Sequence, residues 1–447
     1  MMFFLLTKWL GGGIIICMKS VLSKMSVFLF IASIFVCALA LFTGVYALST
    51  INFNIECQIK YELAEIKNMS LSLNTEGTGV IVKQINYSSN VVIPKYTIYN
   101  SGKFYTIPDG VEPTTSESSN IYKIVGIGDK ETESPLFTNA SYIKEIKNIE
   151  IPDSVEYIGI GAFKNFTNLQ SITSLKNTRT IYQKAFYDCQ NLNNIGELSK
   201  IEEIGESAFY DCYELDNITL PNTLKKIGSN AFQYCKKIST LEIPNNITTI
   251  NSTTFFGCES LSSITFLGNI TSIGASAFYK CKGISKITLP STIKTIDKNA
   301  FYSCTSLKDI NLPTGITSIG QSAFAYCSNL SSIVVPNTVT TLNSNTFLSC
   351  TNLTSVTLNE NLTSIEAQAF SKCGSLTSIK IPKTVIKIGQ NTFNECTNLT
   401  SVTFLNTSGW KLYNTSNVYQ KDISVETSST NATNLKTTYK SNIWKRG

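Results

Sequence analysis

Residues 207–228 read SAFYDCYELDNITLPNTLKKIG, and the chain then starts over with SNAFQYC. Phe209 and Phe232 stand 23 residues apart. The same step links Phe163, Phe186, Phe209, Phe232, Phe255, Phe278, Phe301, Phe324, Phe347, Phe370 and Phe393, eleven copies without an insertion. A fixed period of this length marks a repeat architecture, in which one unit cannot bury its apolar face and stacked units can. Other positions keep step. Ile, or Leu at Leu342, stands five residues before each Phe. Ala or Thr stands directly before it, and Leu or Ile stands six after it.

Within one unit, Ile218 and Leu220 alternate with Asn217 and Thr219, the pattern of a short half-buried strand. Pro221 cannot donate to a ladder and closes that strand. Leu224 and Ile227 return to the core. Gly228, with Gly159, Gly205, Gly274, Gly320 and Gly389 in the same slot, is read as a tight or left-handed turn, with Asn251, Asp297 and Asn343 as substitutes. The segment before each Phe is too short for much helix.

Ten cysteines share one slot: Cys189, Cys212, Cys235, Cys258, Cys281, Cys304, Cys327, Cys350, Cys373 and Cys396. An even count in an exported chain points to disulfides. Geometry points elsewhere. Parallel strands repeat at about 4.8 Å, whereas a disulfide needs Cβ atoms at about 3.8 Å. Phe166 fills the slot in the first copy, so the slot is an apolar volume. The expectation is a reduced, packed cysteine ladder.

The 447 residues contain no His, which removes Ser-His and Cys-His nucleophiles and the commonest metal ligand. No Gly-rich phosphate loop lies outside the first residues, and Glu202-Glu203 reads as solvated charge without a partner base. The expectation is no enzyme, no metal and no cofactor. The net charge is +6, and Lys8, Lys19 and Lys24 supply half of it. So balanced a remainder gives no reason to expect nucleic acid. Lys19 and Lys24 precede the apolar run Val27–Phe42, and Val45-Tyr46-Ala47 resembles a cleavage site. Residues 1–47 are read as a signal peptide or membrane anchor, the only expected membrane contact. Residues 48–154 are read as an N-terminal cap with a degenerate repeat, a hairpin around Asn100-Ser101-Gly102 and a short helix over Tyr61–Met69. Residues 155–405 are the eleven-copy solenoid. Residues 406–447 are a C-terminal cap in which Trp410 and Trp444 cover the last rung.

The unit C-x-x-L-x-x-I-x-L-P-x-x-[IVL]-x-x-I-G-x-x-A-F, carried from Val155 to about Phe404, resembles the leucine-rich repeat of BspA-like bacterial surface proteins. The tail from Gly409 onward is similar to that of spirochaetal members. The resemblance implies a right-handed leucine-rich-repeat solenoid with short parallel strands on its concave face and little helix. It also implies a cell-surface, outer-membrane or secreted protein that adheres to host proteins.

On the strand positions, Thr240, Glu242, Lys286, Thr288, Asp309, Asn311 and Lys380 are the candidate ligand-binding residues, in rows otherwise rich in Ser and Thr. Such rows also stabilise a sheet by cross-strand contact. A second candidate is the aromatic row Tyr187, Tyr210, Tyr279 and Tyr302, with Tyr234 and Tyr326 one residue on. The expected partner is a protein of the host extracellular matrix or cell surface. A glycan ligand, or a structural envelope role without a host ligand, is the alternative.

Overall fold

The structure, a computed structural model, describes residues 143–447 without a break. Ahead of them it describes residues 69–74, 76, 79–85, 91–94, 96–100, 103–106, 121–133 and 136. The export signal at 1–47 lies outside the described residues. So does the helix read over Tyr61–Met69, except Met69, which opens the strand Met69–Leu73.

The repeats coil as stacked turns, one turn per 23 residues. Phe163 to Phe393 form an unbroken file of stacked rings, with centroids 5.2 to 5.7 Å apart. Every ring in the file is fully buried. Two strand rows run along the stack. The longer row includes Thr240–Ile243, Ser263–Phe266, Lys286–Thr288, Asp309–Asn311, Ser332–Val334, Ser355–Thr357, Ser378–Ile381 and Ser401–Phe404. Its strands pair in parallel two by two, each residue opposite its own repeat-mate, as in Lys286 with Asp309. Residues 217–220 keep the same burial alternation but form no strand.

The shorter row was not legible as strand. Leu224 and Ile227 return to the core as read, but Lys226–Ile227 and its mates, Thr249–Ile250 to Lys387–Ile388, are two-residue parallel strands. Two residues are too few to show a period of two.

The arc around each Phe is not helical, yet its backbone is paired. The amides of Ser207, Phe209 and Asp211 donate to Ser229, Ala231 and Gln233 of the next rung at 2.8 to 2.9 Å. Left-handed φ values of 54° at Ser207 and 59° at Asp211 recur through the stack. An arc of this kind buries its amides without a helix, which buried backbone requires. Residues at the left-handed positions include Ser, Asn, Asp, Lys, Gln, Glu, Tyr234, Tyr326, Thr253 and Gly257, but not the glycines of the Gly228 slot. Those glycines serve close approach instead. A Cβ on Gly228 would lie 2.5 Å from the Glu206 amide nitrogen.

At the N-terminal end, Val80–Ile85 and Ile121–Ile127 extend the shorter row in parallel. The hairpin Tyr96–Asn100 and Lys103–Thr106 pairs antiparallel with Ile121–Ile127. At the other end, Ile443–Arg446 pairs antiparallel with Lys387–Ile388, and Trp410–Tyr413 pairs with Ile443–Arg446. Trp410 and Trp444 are buried there, both within 6.1 Å of the Phe404 ring.

Removing a ring from the middle of the file leaves a void between two rigid neighbours. Phe278→Ala should lower unfolding stability by about 3–5 kcal/mol, whereas Thr288→Ala on the exposed face should change it by about 0.5 kcal/mol or less. Urea unfolding followed by far-UV circular dichroism measures both.

Candidate functional site

The ten repeat cysteines are reduced and fully buried. Each Sγ–H donates to the carbonyl of the Phe one rung earlier, at 3.0 to 3.2 Å, from Cys189 to Phe163 through Cys396 to Phe370. Burial pushes every thiol up, Cys327 and Cys396 to about 12. A thiol so held is protonated at neutral pH and is a poor nucleophile. Phe166, in the same slot, is also fully buried. Among the described residues no group of three or more His, Cys, Asp or Glu is placed to hold a metal ion. None of their helices is long and apolar enough to cross a membrane.

Thr240, Glu242, Lys286, Thr288, Asp309, Asn311 and Lys380 are all exposed on the longer row, because the odd members of each strand face outward. None of the seven side chains has a hydrogen-bond or ion-pair partner. Lys286 and Asp309 stand side by side in register. Two open hollows interrupt this face. One, of 300 Å³, lies beside Thr240 and Glu242; the other, of 440 Å³, lies beside Ser378, Lys380 and the exposed Leu405. Val334, in the same rows, is 64% exposed.

Elsewhere on the solenoid, several charges are tied between rungs, while others such as Lys200, Lys298 and Lys308 stand exposed without an ion pair. Glu202 accepts from Arg179 and Lys225, each at 2.6 Å, and Glu203 accepts from Lys226 at 2.5 Å. Glu202 and Glu203 are thus cross-rung partners rather than free solvated charge. The Lys225 and Arg179 hydrogen bonds hold the Glu202 carboxyl below its usual range. Lys237 pairs with Glu214 and Lys282 with Glu259. These staples escaped the sequence reading, although opposite charges one period apart were the available signal.

Tyr187, Tyr210, Tyr234, Tyr279 and Tyr302 are half-buried rather than displayed, and of this row only Tyr326, at 40% exposure, is open. Tyr187 stacks on Tyr210, and Tyr279 on Tyr302, each with centroids 4.6 Å apart. Tyr234, Phe256 and Tyr326 complete a continuous file from Tyr187 to Tyr326. Phe256 stands directly after Phe255 as Tyr279 does after Phe278, so the row is marked in sequence by an aromatic rather than by tyrosine alone. The faces of Tyr187 and Tyr210, and of Phe256, Tyr279 and Tyr302, stack on one another, while Tyr234 meets its neighbours edge to face. Burial raises Tyr210 and Tyr302 to about 12.

The profile of the BspA type leucine rich repeat region, taken as six copies, matches residues 136–253, 225–350 and 317–437, more than half of the chain. A leucine-rich repeat protein from Bacteroides ovatus is similar in structure, with 26% identity and a TM-score of 0.56 over 76% of this chain and 88% of that one. A leucine rich cell surface protein from Faecalibacterium prausnitzii aligns at 23% identity and TM-score 0.43 over 77% and 95%. The T. pallidum leucine rich repeat protein aligns at 22% and 0.39 over 50% and 90%. No curated protein matches the chain significantly.

An alkaline titration reads the aromatic file. A tyrosine held neutral in the fold ionises first in the unfolded chain, near pH 10, so folding stability should fall from about pH 10 to about pH 12. Absorbance at 295 nm should show an early tyrosinate phase and a late one, and Tyr302→Phe should remove amplitude from the late phase only.

Proposed function

The chain belongs to the BspA type leucine-rich repeat family, and from that premise we propose that it is an exported surface protein. It holds a protein partner against the exposed face of its longer strand row. The family supplies a repeat scaffold suited to protein interaction. The observation that carries the reading is the state of the charges. Glu242, Lys286, Asp309 and Lys380 stand exposed and unpaired on one face, while Glu202, Glu203, Glu214 and Glu259 are stapled to lysines one rung away. Charges left free on a rigid face give a partner register and specificity. The exposed Val334 and Leu405 add the apolar contact that an interface core needs, and the two hollows, lined largely by polar groups, give the face relief.

The basic and apolar run before Ala47 supports export to the cell surface, the outer membrane or the medium. Partners of the extracellular matrix or of a neighbouring cell surface fit this location. The tyrosine file is the weaker candidate, since sugar and peptide groups stack on ring faces and these faces are covered by neighbouring rings.

Binding of the full chain to immobilised extracellular-matrix proteins and to glycans tests the proposal. A protein should be captured, and the combined Glu242→Ala, Lys286→Ala, Asp309→Ala and Lys380→Ala variant should bind about tenfold more weakly or worse, with its thermal unfolding unchanged. Capture by glycans alone, or undiminished capture of the variant, would remove the strand face as a protein-binding surface.

A further inference from the structure

The thiol file has a consequence that does not depend on what the outer face binds. We propose that it makes unfolding of this chain one-way in the presence of a disulfide oxidant. The stacked rungs shield the thiols, and a rung that opens is trapped open by a disulfide between cysteines of neighbouring repeats.

Two properties of the stack lead there. In the folded chain all ten thiols are at zero exposure, each with its hydrogen committed to a Phe carbonyl. An oxidant of any size has no route to them. Neighbouring cysteines sit in register on parallel rungs about 4.8 Å apart, too far and too parallel for the Cβ spacing of about 3.8 Å that a disulfide adopts. The native stack therefore neither reacts nor accommodates the product.

Opening reverses both conditions. Rungs in a solenoid touch only their neighbours, so a few can open without the rest. Once loose, Cys373 and Cys396, or any adjacent pair, lie on a flexible stretch of 23 residues. Closing a longer loop costs only about 0.6 kcal/mol more per doubling, so more distant cysteines compete as well. With oxidised glutathione as oxidant, one cysteine thiolate attacks a glutathione sulfur and releases one glutathione. A second cysteine then attacks the mixed disulfide and releases the other. The net change is two protein thiols and one oxidised glutathione to one protein disulfide and two reduced glutathiones. The opened rungs cannot close over that bridge, and each bridge holds its neighbours open in turn.

The experiment uses the full chain carrying Cys17→Ser, Cys37→Ser and Cys57→Ser, so that only the repeat thiols remain. Without denaturant, the folded protein should retain all ten thiols in oxidised glutathione. In urea just below the unfolding midpoint, reduced glutathione should leave a steady fraction folded. Oxidised glutathione should drive the circular dichroism signal to the fully unfolded value, with intramolecular disulfides on non-reducing gels. Oxidation of the undenatured protein as fast as the unfolded chain, or the same urea plateau in both redox states, would overturn the proposal. Neither readout involves a binding partner, so it stands or falls apart from the surface-binding reading.

Discussion

Each turn of this chain has the length of the turns around it, so each side chain sits on its own repeat-mate. That single constraint decides which residue types fit. A slot must hold a group that packs well on a copy of itself. Phenylalanine does, as stacked rings 5.2 to 5.7 Å apart. Alanine, a thiol and a leucine do as well. Two like charges pack poorly; opposite charges alternate in one slot at Arg179, Glu202 and Lys225, whereas Asp188 and Asp211 share a slot and Asp188 helps raise the Asp211 carboxyl, after burial. Asn and Thr solve the same problem with hydrogen bonds. Asn246 and Asn361 donate to carbonyls of the preceding rung, as do Thr271 and Thr363. The sparse charge and the abundance of Ser, Thr and Asn follow from that stacking.

The parts of the fold legible in sequence are those the constraint writes onto residue type. The period, the parallel register, the apolar slots and the reduced state of the thiols could all be read, because Phe, Cys, Ala and Ile recur at fixed places. What escaped is carried by backbone geometry on variable residues. The left-handed turns fall on Ser207, Asn230, Thr253 and Lys280, where the direction of an amide toward the next rung matters and the side chain does not. The glycines of the Gly228 slot looked like turn residues but mark close rung-to-rung approach. Of the candidate faces, the strand positions were readable from alternation. The burial of the tyrosine row was not, since Tyr187 and Tyr210 carry no mark in sequence that their faces are shared.

The molecule divides its chemistry by direction. Inward, ten thiols and eleven stacked rings form a dry, inert interior. Along the arcs, tyrosines and Phe256 cover one another. Outward on the longer strand row, the candidate side chains from Thr240 to Lys380 make no hydrogen bond or ion pair, and four of them are charged. A surface free of structural duty can be altered without cost to the scaffold, which is what an interaction module built from repeats needs.

The most direct test of in-register stacking is a nuclear Overhauser experiment on alanine-methyl-labelled protein. Ala162, Ala185, Ala208, Ala231, Ala277, Ala300, Ala323 and Ala369 are buried in one slot, and neighbouring rungs stand about 4.8 Å apart. Cross-peaks should join Ala162 to Ala185, Ala185 to Ala208, Ala208 to Ala231, Ala277 to Ala300 and Ala300 to Ala323, with the file broken where Thr254 and Thr346 take the slot. Absence of these peaks, or peaks linking alanines two or more repeats apart, would contradict the stacked solenoid.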